Sequence, residues 1–221
     1  MAALHSVKHC STMLSTSGYL LTHHKINDPH VVTIEKIDSI QKYSSFMIKR
    51  LANFFTTDFV MVVQADGFIV DMTKWEDEFL KYDYIGAPWP PYSWLDPKHL
   101  VGNGGFSIRS LRLQKILRDD PLIPSNHHED TIICQTHREY LEKKYGITYA
   151  PLSVASRFSC EFGPSRGLHT FFGLKPTFGQ HAFWQFTERG DVRVHNKLAQ
   201  THPSFVGYLN REACRYDFNR N

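Results

Sequence analysis

Cysteine is scarce in this sequence, and its spacing excludes two common ways of holding a small domain together. The four cysteines form no CxxC pair and lie far apart, at Cys10, Cys134, Cys160 and Cys214. A disulfide framework and a structural zinc site are therefore not expected, whereas buried free thiols are.

Long apolar runs are also missing. No stretch approaches the roughly 18 residues that a membrane-spanning helix needs. The N-terminus carries His5, Lys8 and His9 where a secretory signal would have an apolar segment. Together with the free thiols, this indicates a soluble protein of a reducing compartment, the cytoplasm.

A strong charge imbalance, internal repeats and low-complexity segments are absent as well. The formal net charge is only +3, which permits contact with polyanions without arguing for it. The 221 residues suffice for one domain with one substantial core. We therefore expect residues 1–221 to form a single domain, with an irregular C-terminal segment from about residue 163.

What the sequence does contain is an apolar strand that ends in a carboxylate. Residues 59–63 (FVMVV) are typical of a strand covered on both faces of an α/β sheet, and Gln64-Ala65-Asp66-Gly67 follow directly. Ligands of open α/β sheets bind beyond the carboxyl ends of the strands, so Asp66 is the first candidate for chemistry. The alternative is an Asx-type turn before Gly67.

The surrounding pattern predicts alternating strands and helices. Strands are predicted over 31–37, 59–63, 84–86 and 147–150, and after a glycine-rich loop as far as Arg109. Helices are predicted from an Asp38 cap to about Phe55, over 73–80 after an Asp71 cap, and over 129–145 with a Gly146 C-cap. This alternation indicates βαβ units and an α/β domain with a mostly parallel central sheet.

Glycines make the loop Gly102-Asn103-Gly104-Gly105 suitable for close approach of the backbone to a ligand. The loop is neither a dinucleotide fingerprint nor a P-loop, and by itself it could be a tight turn. Trp89, in the proline-rich segment before it, could wall a cleft or pack in the core. Arg109 could meet a phosphate, but a surface salt bridge is the more economical interpretation.

Four motifs, in this order along the chain, resemble a glycosyltransferase-like family found in bacterial and viral proteins and long labelled only as a domain of unknown function. They are YDYIGAPW at 82–89, VGNGGFSIRS at 101–110, HEDTIIC at 128–134 and FGQH at 178–181. The resemblance covers about residues 31–183. It implies a GT-A fold, which is a Rossmann-like α/β domain, and the use of nucleotide-diphosphate sugars, often with Mn²⁺.

The resemblance also implies site residues. A departing diphosphate is neutralised by a hard divalent cation, which takes oxygen ligands and, for Mn²⁺, imidazole. The Asp-x-Asp motif of GT-A enzymes is reduced here to Gln64-Ala65-Asp66. Asp66 and His181 are therefore the expected ligands of Mn²⁺ or Mg²⁺, although His181 could instead be a packed loop histidine.

Glu129 and Asp130 resemble the acidic pair that faces the acceptor in many GT-A enzymes. One carboxylate there could act as general base, although acidic residues in a first helical turn also stabilise the macrodipole. Adjacent helical residues point about 100° apart, so at most one is the base, and Asp130 is preferred. The Gly102–Gly105 loop, with Trp89, would line the donor and acceptor cleft.

We therefore expect a glycosyltransferase that moves a sugar from a nucleotide-diphosphate donor to an acceptor hydroxyl on a glycan. One alternative is a viral enzyme that glycosylates hydroxymethylated bases in DNA. The other is a non-catalytic module that binds a nucleotide or carbohydrate. The pairs His23-His24 and His127-His128 are not expected to bind metal, because neighbouring histidines diverge.

Overall fold

A computed structural model describes residues 2–89, 95–161 and 177–181. The helices in these ranges are α1 (Ala2–Leu14), α2 (Ile40–Lys49), α3 (Leu111–Asp119), α4 (Glu129–Thr131), α5 (Arg138–Tyr145) and α6 (Leu152–Phe158). The strands are β1 (Leu20–Thr22), β2 (Val31–Thr33), β3 (Phe59–Val63), β4 (Phe68–Ile69), β5 (Tyr84–Gly86), β6 (Phe106–Ser110), β7 (Ser159–Cys160) and β8 (Gly179–Gln180).

The strands form three small sheets. The central one has the order β3-β6-β5 and is antiparallel throughout. A second has the order β4-β8-β7, in which β8 is antiparallel to β4 and parallel to β7. Only β1 and β2 form a purely parallel pair. The predicted GT-A-like, Rossmann-type domain with a mostly parallel central sheet is therefore wrong, and the described chain is a mixed α/β structure.

The error lies in the partner assumed for β3. A βαβ unit requires the strands on either side of α2 to belong to one parallel sheet, but β2 pairs with β1 and β3 pairs with β6. A short apolar run indicates a buried strand without indicating its partner or its direction. The chain has reversed by Val101, which forms an antiparallel bridge with Pro88, so the glycine-rich loop leads into a strand β6 that runs antiparallel to both β5 and β3.

The centre of the main sheet is β6 rather than the more apolar β3. All five β6 residues are buried, whereas every β3 residue is half-buried. Side chains of β3 still pack on both faces, because Phe59, Met61 and Val63 contact one hydrophobic cluster while Val60 and Val62 contact another. The predicted two-sided packing of β3 is confirmed, but at the edge of the sheet.

Helix α2 begins one residue later than predicted and ends earlier. Ser39, not Asp38, is the N-cap of α2, and its hydroxyl accepts from the Lys42 N–H at 3.2 Å. The helix ends at Lys49 and a 3₁₀ turn follows, so the predicted extension to Phe55 is wrong.

Two other predicted caps are confirmed. Asp71 accepts from the Thr73 N–H at 3.1 Å, although it begins a 3₁₀ turn over Met72–Lys74, followed by a second over Asp77–Lys81, instead of one helix. Gly146 ends α5 in the left-handed conformation, at φ 63°. The predicted helix over 129–145 is divided into α4, a π-helical turn at Ile132–Thr136, and α5.

The predicted strand over 147–150 is reduced to one bridge between Tyr149 and Tyr84. The irregular segment expected from about residue 163 lies outside the described residues, apart from 177–181. In the ranges that are described, no helix has the length and apolarity to cross a bilayer.

Candidate functional site

Three side chains from distant parts of the chain meet at one end of the strands of the β4-β8-β7 sheet. Because β4 is antiparallel to β8 and β7 is parallel to it, the start of β4 lies beside the ends of the other two strands. Asp66 comes just before β4, Glu161 just after β7, and His181 just after β8. These three residues and Gln64, which follows β3, are called the histidine cluster below.

The His181 imidazole lies at the centre of the histidine cluster. Its Nε2 is 3.4 Å from Asp66 Oδ1 and 3.2 Å from Gln64 Oε1, and its Nδ1 is 3.6 Å from Glu161 Oε1. The side chains of Asp66, Glu161 and His181 are 5%, 14% and 12% exposed. The two residues predicted as metal ligands, Asp66 and His181, are therefore adjacent and nearly buried.

The charge of His181 is determined by its neighbours. Burial lowers the pKa of the imidazole, but the interactions with Asp66 and Glu161 outweigh this effect and raise the pKa to about 10. At neutral pH the ring is therefore an imidazolium, held between two acidic side chains. A metal ion could bind Nε2 only by displacing the proton that these neighbours stabilise.

Gln64 connects the histidine cluster to helix α2. Its side-chain NH₂ donates to the Tyr43 hydroxyl at 2.9 Å, which turns its carbonyl oxygen toward His181. Sequence reasoning gave Tyr43 no role in the site and saw Gln64 only as a missing acid. It missed Glu161 altogether, because the contact depends on the pairing of β7 with β8, which a two-residue strand does not reveal.

Glu129 of the acidic pair is held by a buried arginine. Arg109 has no exposed surface, so the expected surface salt bridge is wrong. Its Nη2 donates to Glu129 Oε1 at 2.8 Å and to the Gly104 carbonyl at 3.3 Å, and its Nε donates to Ser107 Oγ at 3.1 Å. The guanidinium also lies over the Tyr84 ring at 5.3 Å. Glu129 is thus engaged in a structural ion pair.

Asp130, the other member of the acidic pair, has a perturbed carboxyl group. Burial, reinforced by the charge of Glu129, raises its pKa to about 7, although the Thr131 and Gly104 N–H groups donate to it at 2.7 and 3.2 Å. A carboxyl group with a pKa near neutrality can both accept and release a proton, which is the property of a general acid or base.

The glycine loop joins the two groups of polar residues. The Gly104 N–H donates to Asp130, and Gly105 lies against the His181 ring, so that a Cβ on Gly105 would overlap the imidazole. Asn103 braces the turn, since its Oδ1 accepts from the Gly105 N–H at 3.1 Å. The histidine cluster and Asp130 therefore flank two consecutive residues of one loop.

Trp89 lies beneath the other end of the loop. It is 6% exposed, and a Cβ on Gly102 would overlap its ring. The Tyr84 hydroxyl donates to the carbonyls of Gly102 and Asn103 at 2.7 and 3.1 Å. Trp89 is thus part of the core, and a direct contact with a ligand stays a prediction.

Gly105→Ala should displace the His181 imidazole and separate it from Asp66, because the added methyl group has no room. We expect the side-chain NMR signals of His181 to move while the fold is kept. Gly146→Ala is the control, since a left-handed φ makes alanine destabilising there without any contact to the site. His181 signals that respond equally to both substitutions would contradict this prediction.

A comparison with known protein families identifies the family of this chain. Residues 29–181 match the model of a family described as a protein of unknown function, DUF5672. The chain belongs to this family. The matched part of this DUF5672 member contains the whole glycine loop, the acidic pair and the histidine cluster, and it ends at His181. A comparison with curated proteins finds no match.

The histidine cluster fits a cation only in part. Within the described ranges, no three His, Cys, Asp or Glu side chains are arranged to hold a metal ion. Asp66 Oδ1, Gln64 Oε1 and His181 Nε2 nonetheless lie together, and a carboxylate, an amide oxygen and an imidazole suit Mn²⁺. Such a set fits a cation that is bound jointly with substrate phosphates, as Mg²⁺ commonly is.

Proposed function

We propose that the protein is a glycosyltransferase that moves a sugar from a nucleotide-diphosphate donor to a hydroxyl group of a glycan. The observation that carries the proposal is the placement of the histidine cluster and of a carboxyl group of near-neutral pKa against the adjacent residues Gly105 and Gly104. Because both groups contact adjacent residues of one loop, the proposal places the bound substrate against that loop. The four-motif resemblance supports the same reaction class.

Each polar group has a distinct role in this proposal. Asp130 accepts the proton of the attacking hydroxyl, because its pKa near neutrality suits a base at physiological pH. Glu129 cannot serve equally well, since its carboxylate is paired with Arg109. Gly104 and Gly105 have no side chains, which leaves the space beside them that Glu129 and His181 occupy.

Asp66, Gln64 and His181 are the residues that would hold Mn²⁺ or Mg²⁺. When bound, the cation supplies Lewis-acid neutralisation of the departing diphosphate. The chain contributes the orientation of the three ligands, and Tyr43 fixes the Gln64 amide by its hydrogen bond. A cytoplasmic setting belongs to the proposal, because Cys10 and Cys134 are buried free thiols.

Incubation of the full chain with a panel of nucleotide sugars, a mixed glycan acceptor and Mn²⁺ should release nucleotide from at least one donor. Asp66→Asn should slow this release by about two orders of magnitude, because metal-assisted charge neutralisation contributes several kcal/mol. Asp119→Asn is the control, since Asp119 is exposed and pairs with Arg118 away from the site.

The same assay separates the alternatives. Nucleotide-sugar binding without release would favour the non-catalytic module. Transfer to hydroxymethylated duplex DNA, with a steep dependence of DNA binding on salt, would favour the base-modifying enzyme. Release that is equal in the wild type and in Asp66→Asn would contradict the role of the histidine cluster.

A further inference from the structure

We propose that Glu161 is a positioning residue, which holds the His181 imidazole so that Nε2 faces Asp66 and Gln64. The inference rests on the proposed function only for what the site binds. The orientation of the ring is a property of the chain itself and can be measured without any ligand.

The backbone places Glu161 beside His181. Strands β7 and β8 pair in parallel, with Ser159 opposite Gly179 and Cys160 opposite Gln180. Glu161 follows β7 and His181 follows β8, so these two residues occupy the next pair of positions. The pairing continues one step further, because the His181 N–H donates to the Cys160 carbonyl at 3.0 Å. The contact is therefore fixed by strand register rather than by a flexible surface side chain.

Glu161 and His181 each have a buried polar atom that lacks a hydrogen-bond partner among the described residues. Among the described residues, neither His181 Nδ1 nor Glu161 Oε2 has a hydrogen-bond partner, and both atoms are buried. Glu161 Oε1 lies 3.6 Å from Nδ1, which is an ion-pair distance just beyond a hydrogen bond. Leaving a buried polar atom unsatisfied is unfavourable, so Glu161 is the natural acceptor for the Nδ1 proton.

An acceptor at Nδ1 determines what the other nitrogen can do. With Nδ1–H directed at Glu161, Nε2 is the nitrogen that meets Asp66 Oδ1 and Gln64 Oε1. Histidines that bind metal commonly donate their second ring N–H to a carboxylate in this way, which fixes both tautomer and ring orientation. Without Glu161, no described side chain would be in place to accept from Nδ1.

The test compares Glu161→Leu, which removes the acceptor at similar size, with Glu161→Gln, which keeps an acceptor oxygen. The first measurement is the ¹⁵N NMR spectrum of the imidazoles in the metal-free full chain, with His181 assigned by its absence in His181→Asn. The second is the affinity for Mn²⁺ alone, measured by electron paramagnetic resonance. Glu139→Leu is the control, because Glu139 is exposed and pairs only with Lys143 in the described contacts.

We expect the His181 ring signals to move in Glu161→Leu, and Mn²⁺ binding to weaken about 10–100-fold, as is usual when a partner behind a metal ligand is lost. Glu161→Gln should lie closer to the wild type, and Glu139→Leu should match it. A role in packing alone would affect Gln and Leu equally.

Unchanged His181 signals in Glu161→Leu, or equal changes in the Leu and Gln variants, would overturn the proposal. So would wild-type Mn²⁺ affinity in both variants. If the His181 signals respond as expected but no nucleotide sugar is turned over by the wild type, the proposed function fails while the role of Glu161 stands. If the wild type does not bind Mn²⁺, the proposed metal site is wrong. The NMR comparison alone then tests whether Glu161 positions the His181 ring.

Discussion

Replacing Arg109 with methionine should destabilise the protein by about 3–5 kcal/mol, because it leaves a buried carboxylate without its partner. Arg109 and Glu129 are 0% and 5% exposed in their side chains, and their contact is 2.8 Å. Methionine retains much of the apolar volume, so the loss reports mainly on the unpaired charge. Urea unfolding of the full chain gives the free energy of unfolding directly.

A double variant tests the explanation. Adding Glu129→Gln to Arg109→Met removes the uncompensated charge, so most of the lost stability should return. Arg118→Met is the matched control, because Arg118 pairs with Asp119 at the surface and should change stability little. A loss in Arg109→Met that persists in the double variant would show that packing, rather than charge, explains the effect.

Arg109 also illustrates which features of the fold could not be predicted from the sequence. The sequence predicts a strand as far as Arg109 but does not indicate that every residue of β6 is buried. Burial of Arg109 is possible only because Glu129, from a separate element, lies beside it. Local caps such as Asp71 and Gly146 were predictable because they depend on neighbouring residues. Strand order depends on distant pairing, so the central sheet was predicted incorrectly.

The residues of the candidate site also differ in whether local sequence patterns could predict their roles. Asp66 and Asp130 stand out in the sequence, since one follows an apolar run and the other begins a helix. That Asp66 meets His181 follows from the antiparallel pairing of Phe68 with Gln180, which no local pattern indicates. Glu161 depends on a further strand pair. A residue whose role arises through another side chain is the kind that local sequence patterns miss.

Asp130→Asn should slow sugar transfer by about 10²–10⁴-fold, the usual contribution of a general base. Asparagine has nearly the same shape, and its single carbonyl oxygen can accept from one of the two N–H groups that donate to Asp130, so nucleotide-sugar binding and Mn²⁺ affinity should change far less than the transfer rate. In the wild type, the transfer rate should rise with pH through about 7 as Asp130 loses its proton. Asp119→Asn, an exposed carboxylate, controls for loss of charge.

The stability of the same variant provides a measurement that does not depend on the substrate. Burial raises the pKa of Asp130 to about 7, whereas an unfolded aspartate has a pKa of about 3.9. The folded state therefore holds this proton more tightly, and its contribution to stability is complete below about pH 4 and is lost as the pH rises toward 7. Relative to Asp130→Asn, the wild type should lose unfolding free energy over that range. Stability curves of the wild type and Asp130→Asn that run parallel over this pH range, together with unchanged transfer in the variant, would contradict a role for Asp130 in the site. Its carboxylate would then have only the simpler role of stabilising the start of a helix.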